Sequence, residues 1–319
     1  MGLILYKNGD SGPKVVLIQK ELKDHGFYQG NTDGIFGNIT ATSVKKYQAS
    51  AKLPLTGIVD DVTWNGLFAL PDYPVPTEIS RQCLALTGSF ETSKFAPQCF
   101  AAMTGNFDGQ GLSFGALQWN FGQGTLQKLL TNMMSQYPDV FAKIFGMNRM
   151  ILSDVVNGSV ANAIAFANSI QDHTKHTIMP PWNVMFTTLG LTKEFQELEV
   201  QGAAVYFKNA DNLCTDFNLL SKRAHALMFD ICVQSGSIRD DVRKLMESDI
   251  SKLSGSLSQD DLEIAKMRII ANRKAESSRP QYIEDIRNRK LCIANGTGTV
   301  HGIVYNLNKQ FGLDMSNAN

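Results

Sequence analysis

The sequence predicts a mainly α-helical protein of the α+β class, in which a small three-helix unit precedes a larger helical domain with a short glycine-rich β-sheet. Apolar residues recur at helical spacing both in residues 1–70 and from residue 78 onward, which is typical of amphipathic helices. Residues 105–124, GNFDGQGLSFGALQWNFGQG, instead alternate small and larger side chains, which favours short strands. Three prolines in residues 71–76 separate the two helical regions.

These breaks divide the chain of 319 residues into three parts. Residues 1–70 form the small unit, and the first helix of that unit carries Val15 and Ile18 on its apolar face. Residues 71–77 form an extended linker, because a proline-rich stretch cannot continue a helix and favours a spacer. Residues 78–319 form the larger domain.

The composition excludes several classes of protein. Hydrophobic residues make up 43% of the chain and charged residues 19%, as in ordinary globular proteins. Thirty basic residues balance thirty acidic ones, so nothing favours binding to nucleic acid or to an anionic membrane surface. The charge-rich segment 258–290 is predicted to be a solvated face. Because no run of about eighteen apolar residues occurs, no insertion into a membrane is expected.

The cysteines and histidines do not indicate a disulfide framework or a metal site. The five cysteines are scattered, odd in number and without a CxxC pair, which predicts free thiols in a protein made in a reducing cytosol. His173 and His176 are close in sequence, but no cluster of Asp, Glu or Cys adjoins them. We therefore expect neither a metal nor a cofactor.

Residues 9–69 contain three segments that are separated by turn-forming residues and follow one another in a fixed order. A leucine- and glutamine-containing helix comes first, the loop DGIFG at residues 33–37 follows, and a short helix with Trp64 ends the region. Together they resemble the three-helix peptidoglycan-binding domain of cell-wall hydrolases. The resemblance implies that bacterial peptidoglycan binds beside the DGIFG loop, where Asp33 would accept hydrogen bonds and Phe36 would offer a stacking face. The alternative is that Phe36 belongs to the core.

Glu91 is the first catalytic candidate in the larger domain. An apolar helix face ends at Phe90, and Glu91 follows directly. Apolar neighbours, Phe90 and Phe95, disfavour the charged form of a carboxyl group, and a group that donates a proton to a leaving sugar oxygen needs that bias. The alternative is a solvated acid at a helix end.

Asp108 is the second candidate, inside the glycine-rich segment. A helix-end Glu91 that faces a strand-borne Asp108 would place two carboxylates on opposite sides of a glycosidic bond. In an inverting glycosidase the two carboxyl groups are roughly 6.5–9.5 Å apart, which leaves room for a water molecule. Glycines such as Gly115 let a sugar chain approach the backbone. The alternative for Asp108 is an ordinary turn residue before glycine.

Residues 88–127 resemble the lysozyme-like superfamily, and locally the family 46 chitosanases, through a Glu followed by Asp-Gly-x-Gly-x-(Ser/Thr). The resemblance implies that Glu91 is the general acid and Asp108 the general base. It also implies that Ser113 helps to hold the attacking water. Gln110 stands where the family has Arg, a departure that concerns the orientation of Asp108.

Two further residues are predicted to line a saccharide groove together with Gln110 and Gly115. Gln118, in SFGALQWN, resembles the Gln of the Gly-x-x-Gln motif in goose-type lysozymes and lytic transglycosylases. Trp119 is either a ring that stacks on a sugar or a core residue.

These resemblances give the hypothesis of a modular peptidoglycan-degrading enzyme of the phage endolysin type, an N-acetylmuramidase (lysozyme). Glu91 would protonate the oxygen between N-acetylmuramic acid and N-acetylglucosamine, and Asp108 with Ser113 would activate water, with inversion. Three alternatives stay open: a lytic transglycosylase that uses Glu91 alone, a chitosanase, and a non-catalytic wall-binding phage structural protein.

The first residues, MGLILYKNGDSGPK, lack the basic start, apolar core and cleavage site of a secretory signal. We therefore expect synthesis in the bacterial cytoplasm without a signal peptide, release through a holin or a secretion system, and action on the cell wall in the periplasm. We also expect a monomer whose partner is bacterial peptidoglycan. For segment 258–290, the alternative to a solvated face is that its basic residues, Lys274 among them, meet the anionic wall.

Overall fold

A computed structural model of the chain describes residues 4–11, 13–68, 78–253 and 255–318. With 61% of residues in helices and 8% in strands, the fold is mainly helical, which confirms the predicted class. The helices are α1 (Pro13–Asp24), α2 (Asn38–Ser50), α3 (Asp61–Phe68), α4 (Ile79–Thr92), α5 (Thr125–Gln136), α6 (Pro138–Phe145), α7 (Asn148–Asn157), α8 (Val160–Ser169), α9 (Trp182–Gly190), α10 (Lys193–Gly202), α11 (Ala204–Phe217), α12 (Lys222–Ser235), α13 (Asp240–Ile250), α14 (Gln259–Glu276), α15 (Ile283–Asn295) and α16 (Leu307–Phe311). The strands are β1 (Ile4–Tyr6), β2 (Val59–Asp60), β3 (Met103–Thr104), β4 (Ser113–Phe114), β5 (Trp119–Asn120), β6 (Thr297–Val300) and β7 (Ile303–Asn306).

The N-terminal unit consists of α1, α2 and α3 with the antiparallel pair β1–β2. Gln19, in α1, is fully buried and holds the loop that precedes α2. Its Oε1 accepts the N–H of Gly34 at 2.9 Å, and its Nε2 donates to the carbonyl of Ile35 at 3.0 Å and to Thr40 Oγ1 at 3.2 Å. Gly34 has φ +76°, a conformation that favours glycine.

The same arrangement occurs a second time in this unit. Gln48, in α2, accepts the N–H of Gly57 at 2.9 Å. Its Nε2 donates to the carbonyl of Ile58 at 2.9 Å and to Thr63 Oγ1 at 3.0 Å. Gly57 again has a positive φ, +67°. The unit is therefore an internal repeat, in which a buried glutamine on one helix fixes the turn that leads into the next helix.

Aromatic side chains join the N-terminal unit to the larger domain. Trp64, in α3, is fully buried, and its ring centroid lies 6.0 Å from that of Phe95 and 5.7 Å from that of Tyr6. The Tyr6 hydroxyl donates to the carbonyl of Gly302, in the turn between β6 and β7, at 2.8 Å. The two parts thus share one hydrophobic core. The predicted linker at residues 71–77 lies outside the described residues.

In the larger domain, α12 packs against both α4 and α15, and β3, β4 and β5 form an antiparallel sheet in that order. The glycine-rich segment supplies β4 and β5, in agreement with the prediction of short strands. Residues 105–112, in contrast, form a loop that connects β3 to β4. The physical reason is that Gly109 (φ +85°) and Gly111 (φ +76°) have backbone conformations that a strand does not contain.

All five cysteines are buried free thiols. Burial raises the pKa of Cys232 to about 11 and that of Cys292 to about 12, so these thiols are protonated at neutral pH. Within the described ranges, no helix combines the length and hydrophobicity needed to cross a bilayer. The same ranges contain no group of three or more His, Cys, Asp or Glu side chains arranged to hold a metal ion.

Candidate active site

Glu91 lies in the last turn of α4, at the helix end where the sequence predicts it, and lines a cleft of about 450 Å³. Its side chain is 34% exposed, so the carboxylate is accessible to a ligand. The cleft walls come from the turn before β5 and from α12, α14 and α15. The other lining residues are Leu117, Val233, Gln234, Ser235, Lys274, Ser278 and Ile286.

Arg289, in α15, binds the Glu91 carboxylate, with 2.7 Å between Nη1 and Oε1. The Arg289 side chain is only 3% exposed, and its guanidinium carbon lies 5.0 Å from the centre of the Phe90 ring. The sequence predicted apolar surroundings for Glu91, and the structure corrects this by adding a buried cation. Because Arg289 occupies Oε1, the oxygen that can carry or transfer a proton is Oε2.

Asp230, in α12, is fully buried and balances the charge of Arg289. Arg289 Nη2 lies 2.6 Å from Asp230 Oδ1, Lys290 Nζ pairs with Oδ2, and Thr87 Oγ1 of α4 donates to Oδ1 at 3.1 Å. Burial alone would raise the pKa of Asp230, but the two cations outweigh it and lower the pKa to about 2. This buried cluster ties α4, α12 and α15 together behind Glu91.

Asp108 is exposed in the loop between β3 and β4. Its Oδ1 accepts the N–H of Gln110 at 3.0 Å, a local contact typical of an Asp turn. Gln110 is half-buried, and its carbonyl accepts the N–H of Gly122 at 2.8 Å. Of the described residues that line the Glu91 cleft, none belongs to this loop. The structure thus leaves Asp108 accessible but does not place it in that cleft.

Ser113 is 9% exposed in the central strand β4, and Gly115 begins the turn between β4 and β5. Gly115 has φ +83°, and a Cβ on it would lie 2.7 Å from both carboxylate oxygens of Glu199. Glu199, in α10, is fully buried and accepts the N–H of Ala116 at 2.7 Å. Burial raises the pKa of Glu199 well above its usual range, and the Ala116 N–H partly offsets this shift. The turn therefore requires glycine at position 115. Gly115 is buried and does not face a sugar, which corrects the prediction that it lines the saccharide groove.

Gln118 ends the same turn, and Trp119 is the first residue of β5. Gln118 has φ +54°, its Nε2 donates to the carbonyl of Gly115 at 2.8 Å, and its Oε1 accepts from Thr104 Oγ1 at 3.3 Å. Trp119 is 8% exposed, and its indole lies against Gly202 of α10. Because the ring is almost fully buried, it presents no face to a sugar, which corrects the stacking prediction.

The two candidates in the N-terminal unit differ in exposure. Phe36 is fully buried, which corrects the prediction of a stacking face, because its ring belongs to the core of the unit. Asp33 is exposed, and its Oδ1 accepts from the N–H of Ile35 and from Gln19 Nε2, each at 2.9 Å. These two hydrogen bonds lower the pKa of Asp33. Asp33 remains a predicted contact for the wall.

Sequence reasoning missed Arg289, which binds Glu91, and Glu199, which holds the turn that borders the cleft. It named Lys274 only as one of the basic residues of segment 258–290. Arg289 and Lys274 belong to the segment 258–290, which composition alone predicts to be solvated. One usable signal is that Arg289 and Lys290 precede the apolar run Leu-Cys-Ile-Ala, where a charged side chain requires a partner. For Glu199 no comparable signal exists, because an isolated Glu in an amphipathic helix is usually solvated.

Gly115→Ala is expected to destabilise the turn that borders the cleft. A positive φ costs a non-glycine residue about 1 kcal/mol or more, and displacement of the Glu199 carboxylate adds about 1 kcal/mol. Gly109→Ala is the matched control, because Gly109 has φ +85° but no neighbouring atom within 4 Å of an added Cβ. Urea unfolding of both variants separates the cost of backbone strain from the cost of the contact between the new Cβ and the Glu199 carboxylate. Equal losses in the two variants would show that Glu199 adapts without cost.

Solved structures of chitosanases align with most of the chain at low identity. One chitosanase complex is 17% identical with a TM-score of 0.43, over 71% of this chain and 95% of its own. The chitosanase of Bacillus subtilis MY002 is 14% identical with a TM-score of 0.42, over 70% and 88%. The Gynuella sunshinyii GH46 chitosanase in complex with chitotetraose is 9% identical with a TM-score of 0.42, over 73% and 98%.

Sequence comparison identifies relatives of a shorter region. A spore cortex-lytic enzyme of Bacillus cereus is 34% identical over 73 residues, which is 23% of this chain and 28% of the enzyme. The chain thus matches little more than a quarter of that relative's length. The model of the peptidoglycan binding domain family matches residues 11–67, which coincide with the three-helix unit. The chain therefore carries a peptidoglycan-binding domain at its N-terminus, followed by a mainly helical larger domain.

Proposed function

We propose that the chain is a cell-wall glycosidase, an N-acetylmuramidase that cuts peptidoglycan between N-acetylmuramic acid and N-acetylglucosamine. The observation that carries the proposal is an accessible carboxylate, Glu91, in a cleft of about 450 Å³. The domain that contains this cleft shares its hydrophobic core with a peptidoglycan-binding domain. A cleft of this volume lies in the range of small-ligand sites, so it accommodates a sugar ring.

In this proposal Glu91 protonates the glycosidic oxygen. Arg289 fixes Oε1, so Oε2 is the oxygen that takes up a proton from solvent and passes it to the leaving group. Asp108 activates a water molecule from the opposite side, and Ser113 helps to hold that water. Asp108 is accessible on its loop, and hydrogen bonds of a free enzyme often tighten only when the substrate binds.

The N-terminal domain holds the enzyme on the wall and so raises the local concentration of glycan. Its position supports this role, because Trp64 packs against Phe95, which follows Glu91 closely in the chain. The domain is thus packed next to the segment that directly follows α4, the helix that carries Glu91. Asp33 is the side chain of this domain that we expect to contact the wall.

A specific observation favours a second candidate, the lytic transglycosylase. Among the described residues that line the cleft, Glu91 is the only carboxylate. A transglycosylase needs only this Glu and forms an anhydro sugar at the cut end, with no water and no second acid. Mass spectrometry of fragments released from purified sacculi decides between the candidates, since a muramidase yields reducing ends and a transglycosylase yields anhydro ends. The absence of fragments would overturn both.

Asp108→Asn is the variant that separates these mechanisms. If Asp108 is the base, we expect release of reducing ends to fall by about 10²–10⁴-fold, because the variant cannot accept a proton from water. Asp172→Asn is the control, since Asp172 is a half-buried residue directly before a turn, and its Oδ1 also accepts backbone N–H groups, those of Thr174 and Lys175. An unchanged rate in Asp108→Asn would remove Asp108 from the mechanism and favour the transglycosylase.

A further inference from the structure

Of the charged side chains that line the Glu91 cleft, one has an ion-pair partner and the other does not. Two of the eight lining residues are charged, Glu91 and Lys274. Glu91 is paired with the buried Arg289 at 2.7 Å. Lys274 has no carboxylate within ion-pair distance in the described parts of the chain. The cleft therefore presents an unneutralised ammonium group next to a neutralised carboxylate.

Lys274 differs in this respect from its neighbour in sequence. Arg273 binds Asp249 at 2.6 Å and Glu276 at 2.9 Å, so its charge is neutralised by two partners. Lys274 is half-buried in the last turns of α14, and burial together with the positive charge of Arg239 lowers its pKa. A partly desolvated ammonium group without a partner is costly, and a bound anion removes that cost.

One other polar side chain of the cleft, the Gln234 amide, is also arranged to donate a hydrogen bond to a ligand. Gln234 lines the cleft, and its Oε1 accepts from the buried Lys290 Nζ at 2.6 Å. The part of this amide that is free to meet a ligand is therefore the Nε2 donor. Lys274 and Gln234 together suit a carboxylate or an amide carbonyl. They do not suit a glycan that carries an ammonium group on each ring, because like charges repel.

We propose that Lys274 is the specificity-determining residue of this cleft, and that it selects glycans with a carboxylate on or next to the ring bound beside Glu91. The substrate class is an acidic N-acylated glycan, such as one with a lactyl ether or a short peptide arm. This inference rests on the proposed function of Glu91 and adds to it the chemistry that distinguishes peptidoglycan from a polyaminoglycan.

The test compares the wild-type chain with Lys274→Met on two matched substrates. One is soluble peptidoglycan strands, and the other is the same strands after their carboxylates have been converted to amides. Met keeps the length of the side chain without its charge. We expect KM on the carboxylate strands to rise about tenfold with little change in kcat, and no difference from wild type on the amidated strands.

Two further variants define the outcome. Lys274→Arg is expected to restore the wild-type KM on carboxylate strands, because it keeps the charge. Lys244→Met removes an exposed lysine of α13 and controls for the general attraction of an acidic polymer. Equal losses on both substrates, or no loss on either, would overturn the role of Lys274.

A binding measurement separates this inference from the proposed function. Calorimetry of the full chain with the disaccharide N-acetylglucosaminyl-N-acetylmuramic acid, and with its amide, requires no cleavage. If the wild-type chain cuts neither polymer, the proposed function fails. A weaker affinity of Lys274→Met for the acid alone would still support selection of a carboxylate, and identical affinities would refute it.

Discussion

Replacement of Glu91 by Gln is expected to lower the release of fragments from sacculi by about 10²–10⁴-fold, because Gln cannot donate the proton that the leaving oxygen requires. The fold is expected to persist. Glu91 is one-third exposed, and Arg289 keeps its second partner, Asp230, so the free energy of unfolding changes by less than about 1 kcal/mol. Binding to sacculi is unchanged, since the peptidoglycan-binding domain is residues 11–67.

The matched control is Glu78→Gln, which removes the same charge at the opposite end of α4, where Glu78 is exposed. Three measurements on each variant suffice: fragments by mass spectrometry, cosedimentation with sacculi, and urea unfolding. Loss of fragments in Glu91→Gln alone, with normal sedimentation and stability, is the expected pattern. Full activity in Glu91→Gln would exclude this residue as the acid.

The position of Glu91 could be predicted from sequence because it depends on one helix. The apolar spacing ends at Phe90, and a helix end next to a buried face gives Glu91 both packing neighbours and access to solvent. The partner of Glu91 could not be predicted in this way. Arg289 is distant in sequence, and periodicity assigns residues to helix faces but does not say which faces meet.

The burial of the two aromatic candidates, Phe36 and Trp119, could not be predicted from the sequence either. Phe36 and Trp119 each stand in a glycine-containing loop, where an aromatic ring either stacks on a ligand or fills the core. The choice depends on residues distant in sequence, for example on Gly202 of α10, against which the Trp119 ring lies. The buried glutamines of the N-terminal repeat are the opposite case. Gln19 and Gln48 each precede a Gly-Ile pair and a Thr, a pattern that is visible in the sequence once the fold is known.

Asp230→Asn tests the buried cluster behind Glu91. The substitution keeps the shape of the side chain but leaves Arg289 and Lys290, which are nearly or fully buried, without their shared anion. Removal of one partner from a buried ion pair costs about 3–5 kcal/mol, and we expect that loss in urea unfolding at pH 7. Cleavage also falls, because Arg289 no longer holds the Glu91 carboxylate in a single orientation.

The effect has a predictable dependence on pH. The pKa of Asp230 is about 2 in the folded protein against an ordinary value of 3.8, so the folded state favours the charged form. Its contribution to stability is therefore present above about pH 4 and is lost as the pH falls through about 2. The difference between wild type and Asp230→Asn should shrink over that interval, by about 2 kcal/mol for a shift of this size.

The control for this prediction is Asp241→Asn. Asp241 also pairs with an arginine, Arg239, at 2.9 Å, but its side chain is 67% exposed, and pairs of this kind contribute about 0–1 kcal/mol. Burial is thus the variable that differs between the two substitutions. If Asp230→Asn cost no more than Asp241→Asn, the cluster would not hold α4, α12 and α15 together. The orientation of Glu91 would then have to come from α4 and the Phe90 ring alone, and cleavage by Asp230→Asn would match the wild type.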